Sequence, residues 1–136
     1  VVKKQGFFVG KAVGVHMNLF GTIVNASYTL ATVIPIQYIK TPFSARSLET
    51  NAIGLVGRTD AGGVVFGNVL LSDTLKKDDY IVTNGDVTQT GKGFPPGIVV
   101  GKIIGIDKKS SALFQGAQIV SLIDLSKITT VFLVSY

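Results

Sequence analysis

A ten-residue phrase occurs twice in this chain. Residues 6–15 read GFFVGKAVGV and residues 97–106 read GIVVGKIIGI. Five positions are identical: Gly6/Gly97, Val9/Val100, Gly10/Gly101, Lys11/Lys102 and Gly14/Gly105. The other five exchange one apolar residue for another. The likeness continues through Leu19-Phe20 and Leu113-Phe114, Ile23-Val24 and Ile119-Val120, and Thr32-Val33 and Thr130-Val131, as the offset grows from 91 to 98 residues. Repetition at such a distance predicts two similar structural modules. Nothing in the phrase can do chemistry, so it points to architecture and not to an active site.

The pattern around the phrase is that of strands. Short runs rich in Val, Ile, Phe and Thr, bounded by turn residues, cover Phe7–Val15, Gly21–Asn25, Thr32–Ile39, Ile53–Arg58, Val64–Leu71, Tyr80–Thr83, Ile98–Ile106, Ala112–Leu122 and Thr130–Ser135. The prediction is an all-β protein of two small β-barrel-like modules related by the internal repeat, with one or two short helical turns. Residues 1–48 form the first module, incomplete at its N-terminus. Residues 49–136 form the second, with the last strand free to return to the first. Gly10, Gly14, Gly101 and Gly105 stand inside strand patterns, where glycine marks a bulge or a close backbone approach. Lys11 and Lys102 then point outward, as edge-strand lysines that discourage sheet pairing. Helical turns are expected at Asp124–Ile128, where Asp124 is a suitable cap, and at Asn25–Ala31 in the first copy. Pro35 places its strand at an edge or a bulge. Residues 41–51 have the composition of a linker, and Gly57–Gly63 that of a hairpin loop.

Catalytic constellations are thin. Zero cysteines exclude disulfides and thiolate metal sites. The single histidine, His16, has no nucleophile elbow to serve, and the second copy holds Asp107 in its place. Asp78-Asp79 follows two lysines and reads as a solvated turn. The glycine-rich stretches Gly57–Gly63 and Gly91–Gly97 lack the phosphate-loop pattern. No enzyme activity, metal site or cofactor is expected. Charge is uneven: residues 1–48 carry five bases and no acid, while residues 49–136 carry eight of each. A basic face of this kind meets anionic partners, so a small-barrel module binding polyanions or nucleic acid is the alternative function. Phe43 and Phe94 fall in predicted loops and are the aromatics expected at the surface. Phe94, with Pro95 and Pro96, fits either an apolar anchor for a partner or a plug over a barrel end.

The order of motifs resembles the periplasmic β-rich region of the rod shape-determining protein family MreC. The resemblance rests on residues 6–13, Gly54–Gly63, Asp79–Gly85, Gly93–Ile103, Leu113–Gln115 and Asp124–Val131. Its most specific stretch is Tyr80–Lys102, where a valine-bearing strand ends in a Thr-x-Gly turn and Phe94-Pro-Pro-Gly leads into Val99-Val-Gly. The chain departs from the family pattern at Asn84, where the family has Ser, and in the longer loop Asp86–Thr90. The family's cytoplasmic tail, membrane helix and coiled coil are not in this sequence, so the resemblance is to an N-terminally truncated member. It implies a non-enzymatic scaffold of the cell-elongation machinery on the periplasmic side of the bacterial membrane. It further implies self-association into homo-oligomers, and contacts with MreD, a class B penicillin-binding protein and other elongation proteins. The membrane anchor would lie in a segment absent from this chain, and no nucleic acid is expected.

Overall fold

A computed structural model of the chain describes residues 12–15, 17–86 and 93–133. The expected sites Gly6, Gly10, Lys11 and His16 lie outside the described residues. The chain is all-β, with ten strands among the described residues: β1 (Ala12–Val15), β2 (Asn18–Ala26), β3 (Ala31–Pro35), β4 (Phe43–Ser47), β5 (Ile53–Arg58), β6 (Val64–Leu70), β7 (Tyr80–Thr83), β8 (Val99–Asp107), β9 (Phe114–Val120) and β10 (Phe132–Leu133). Six of them close on themselves in the order β8-β7-β4-β5-β6-β9, with β9 pairing back to β8. The other four form a sheet ordered β3-β2-β1-β10. It joins the barrel by a parallel pair, Asn18 beside Val99, and the Val99 N–H donates to the Met17 carbonyl at 2.8 Å. β10 returns across the chain to β1, setting Leu133 opposite Val13.

Alternation explains the barrel. On β4 the inward residues are Phe43, Ala45 and Ser47; on β5 Gly54 and Val56; on β9 Gln115, Ala117 and Ile119. Phe66, Val69, Ile81 and Ile103 fill the centre and are fully enclosed. The same apolar cluster continues into Ala12, Leu19, Ile36 and Ile39, so one core runs beneath both sheets. Corners are turned by bulges. The β1–β2 register shifts between Val13 and Gly14, and the β8–β9 register between Ile103 and Gly105. At Gly101 a Cβ would stand 2.5 Å from the Val120 carbonyl oxygen, so β8 and the end of β9 come closer than any side chain permits.

Several expectations are corrected. The stretch taken for a linker contains β4, hydrogen-bonded between β5 and β7. Its polar composition misleads because Ser47, fully buried, accepts the Thr50 N–H on its hydroxyl at 3.2 Å. The helical turn expected at Asn25–Ala31 is a hairpin: the Ser27 N–H donates to the Leu30 carbonyl at 2.7 Å, and the Leu30 N–H to the Ser27 hydroxyl at 3.2 Å. The strand expected through Ile39 stops at Pro35, and a 3-10 turn follows at Ile36–Tyr38. The turn at Leu125–Lys127 does form, with Asp124 accepting the Ser126 N–H at 3.1 Å. Asp79 is not solvated; it is 5% exposed and accepts the Lys76 N–H at 3.0 Å. Lys102 is not on an edge, because β8 has barrel neighbours on both sides; it faces Asp78 at 3.6 Å. Among the described residues no helix is long and apolar enough to cross a membrane.

Candidate partner-binding groove

The segment leading to the groove begins at Thr83, the last residue of β7. Its buried hydroxyl donates to the Pro95 carbonyl and accepts the Ile98 N–H at 2.9 Å. Its backbone pairs with Ile98 and Gly97 at 2.8 and 2.9 Å. One threonine therefore satisfies both strands of the loop that carries Phe94-Pro95-Pro96-Gly97. Gly85 holds φ +101° with Pro96 packed against it, and Gly97 holds φ +86°. These are backbone angles that a side chain resists. Ser44 of β4 ties the loop down from the other side. Its carbonyl accepts the Asn84 N–H at 3.2 Å, and its own N–H donates to Asp86 Oδ2 at 2.7 Å.

This fastening fixes Phe94 of the loop against Phe43 of β4. Phe43 and Phe94 meet edge to face, with ring centroids 4.7 Å apart at 86°, a favoured aromatic geometry. They are 7% and 5% exposed, so the expectation that both lie at the surface is corrected. The reason is long-range: β4 enters the barrel beside β7, which brings Phe43 under a loop that starts some forty residues later in the sequence. Pro95 is buried with them and Pro96 is exposed.

Beside this aromatic pair lies an apolar groove of about 660 Å³. Thr22 and Val24 of β2 and Ile34 of β3 line it from the open sheet. Pro42, Phe43 and Phe94 line it from the barrel. The connecting segment adds Ile39, Lys40 and Thr41, and the loop after β7 adds Asp86 and Gly93. Of the sequence-predicted residues the groove thus brings together Phe43 and Phe94. Pro95, Pro96, Gly14, Gly97, Gly101 and Gly105 do not line it. Sequence reasoning missed Val24, Ile34 and Lys40. Their strands or flanks were legible, but nothing local tells which side of a strand will face an unfilled space. The polar groups of the lining are one amine, one carboxylate and two hydroxyls, so the groove is built to pack apolar groups. Among the described residues no group of three metal-ligating side chains occurs.

Comparison with known proteins now bears on this architecture. The family model of the rod shape-determining protein MreC, barrel core, matches residues 2–135. The chain belongs to the MreC family. MreC from Pseudomonas aeruginosa superposes with a TM-score of 0.81 at 20% identity, covering 98% of this chain and 84% of that one. MreC from Listeria monocytogenes gives 0.78 at 25% identity, covering 94% of this chain but 61% of that one. A chain of the complex between penicillin-binding protein PBP2 and MreC from Helicobacter pylori gives 0.71 at 17% identity, covering 90% and 75%. At 17% and 20% identity the likeness shows the fold alone. No curated protein matches the chain.

Proposed function

We propose that this MreC chain is a non-enzymatic scaffold module that holds a class B penicillin-binding protein within the cell-elongation machinery, on the outer side of the cytoplasmic membrane. The observation that carries the reading is its membership of the MreC family over nearly its whole length, together with the Helicobacter pylori complex of PBP2 with MreC. The mechanism is binding. A scaffold that contacts one conformation of a synthase better than another raises the population of that conformation. Self-association, contact with MreD and an anchor upstream complete the proposed assembly. The polyanion-binding alternative gains no support here, because Phe43 and Phe94, the two loop aromatics it would use for base stacking, are buried.

The test is recovery from a bacterial membrane extract with this chain as bait. A penicillin-binding protein retained at high salt supports the scaffold. Recovery of nucleic acid alone, lost as salt rises, would overturn it. The genetic counterpart is restoration of rod shape in a deletion strain by the full-length gene, and its failure after destabilising changes in the barrel.

A further inference from the structure

We infer that Asn84 is a modification site: it loses its side-chain amide to attack by the Gly85 backbone nitrogen, which leaves aspartate or isoaspartate at the barrel mouth. The site lies outside the scaffold reading and stands without it. The chain has five asparagines, Asn18, Asn25, Asn51, Asn68 and Asn84, and only Asn84 precedes glycine. Ring closure brings the next residue's backbone nitrogen onto the asparagine Cγ, and a side chain on that residue crowds the approach. Gly85 has no side chain, and its backbone rotates more freely than that of any other residue. Asn18, Asn25 and Asn68 lie within strands β2 and β6. After Asn51, the Ala52 N–H is occupied, donating to the Thr50 hydroxyl at 3.4 Å. The Gly85 N–H has no partner among the described residues, and Gly85 is exposed, so hydroxide reaches it.

The step balances with water alone. Hydroxide takes the Gly85 N–H proton, the nitrogen bonds to Asn84 Cγ, and the Cγ–Nδ2 bond breaks. Nδ2 donates to Ser44 Oγ at 3.2 Å, so a hydroxyl stands ready to protonate it as it leaves as ammonia. Water then opens the five-membered imide. Cleavage at Cγ gives aspartate, and cleavage at the main-chain carbonyl gives isoaspartate, which lengthens the backbone by one methylene. Nothing is oxidised or reduced. Either product damages the fastening of the mouth. The donor to Ser44 Oγ is lost, and a second carboxylate gathers around Ser44, whose N–H already holds Asp86 Oδ2 at 2.7 Å. Like charges this close repel. Isoaspartate also displaces the Asn84 N–H from the Ser44 carbonyl and the Asp86 N–H from the Phe94 carbonyl, which lie 3.2 and 3.0 Å apart in the fold. The loop that loosens is the one that carries Phe94.

The experiment incubates the folded chain in mildly alkaline buffer, with peptide mass mapping and an isoaspartyl methyltransferase assay over time. Modification should concentrate at Asn84, outpace the other four asparagines, and quicken as pH rises, because the attacking nitrogen must lose its proton. Asn84→Ser, which has no amide to lose, should remove the signal from this peptide. An Asn84 that stays intact in the folded chain, whether or not it reacts in urea, would overturn the inference. So would equal rates at all five asparagines. Asn84→Asp, the charge the reaction leaves, should lower the melting temperature by about 4 °C. Added salt should return part of that loss, and Asp86→Asn in the same chain, which keeps an acceptor for the Ser44 N–H, should return more. An Asn84→Asp chain that melts as the unaltered one does would refute the effect on the mouth.

Discussion

Replacing Phe94 by alanine tests the central geometric claim, that this residue is part of the core and not an exposed anchor. The ring is 5% exposed and meets Phe43 edge to face at 4.7 Å. Burial of a phenylalanine side chain is worth about 1.5–3 kcal/mol, and the aromatic geometry about 0.5–1.5 kcal/mol more. The adjoining groove admits water to the vacated space, so the cavity term stays small and the full range for core Phe→Ala changes is not reached. The expected loss is about 3 kcal/mol, read from urea denaturation as a lower midpoint with an unchanged slope. For a chain of this size the melting temperature should fall by about 10 °C. Phe94→Leu keeps most of the apolar volume and gives up the edge-to-face geometry, so it should cost only about 1 kcal/mol. A cycle combining Phe43→Leu with Phe94→Ala should return a coupling of about 0.5–1.5 kcal/mol. A Phe94→Ala loss below about 1 kcal/mol, or a coupling of zero, would refute the packed mouth and restore Phe94 as a surface residue.

The remaining predictions address the loop and the repeat. Gly101→Ala places a methyl 2.5 Å from the Val120 carbonyl oxygen, whereas at Gly105 the nearest atom is the Gln118 side-chain oxygen at 3.7 Å. By thermal melting, the first should cost about 2 kcal/mol or more and the second less than about 1 kcal/mol, although both glycines are invariant between the two copies. Gly85→Ala must hold φ +101° with Pro96 at 3.2 Å, and should lose about 2 kcal/mol in chemical denaturation. Thr83→Val removes the hydroxyl that serves both the Pro95 carbonyl and the Ile98 N–H, at about 2–3 kcal/mol. Thr83→Ser retains it and should cost about 1 kcal/mol; equal losses for the two Thr83 variants would show that packing, not hydrogen bonding, secures the loop.

The boundaries of β5 and β7 were legible to the residue, because Ile53–Arg58 and Tyr80–Thr83 carry strand propensity between clear turn residues. β4 was not, because Phe43-Ser-Ala-Arg-Ser has loop composition. What makes it a strand is the pair of neighbours it finds at Gly54 and Thr83, and no local rule reports them. Asp79 and Ser47 mislead for the same reason: a polar residue is buried when distant backbone groups satisfy it. The burial of Phe94 depends on Phe43, more than a third of the chain away in sequence. The groove is still less legible, since its walls come from β2, β3 and two loops of the barrel mouth.

The repeat shows how one phrase yields two different surfaces. Ala12 and Ile103 occupy the same place in the phrase, and both are fully buried. The next position differs: Val13 is 1% exposed and Ile104 47%. At Ile104 only the inner face of β8 is covered, so this outward-pointing apolar residue stays in water. In the open sheet β1 lies between β2 and β10, and is covered on both faces at this point. Leu19 and Leu113 diverge further, at 0% and 81% exposed, because the longer turn between β8 and β9 lifts the second leucine out of the strand. A barrel that closes on itself uses its apolar interior internally. A sheet that stays open beside a finished barrel leaves an apolar seam along the junction, at Val24 and Ile34 opposite Phe43 and Phe94. The groove follows from that asymmetry: two copies of one phrase folded into one closed and one open sheet leave their unfilled apolar space where the two meet.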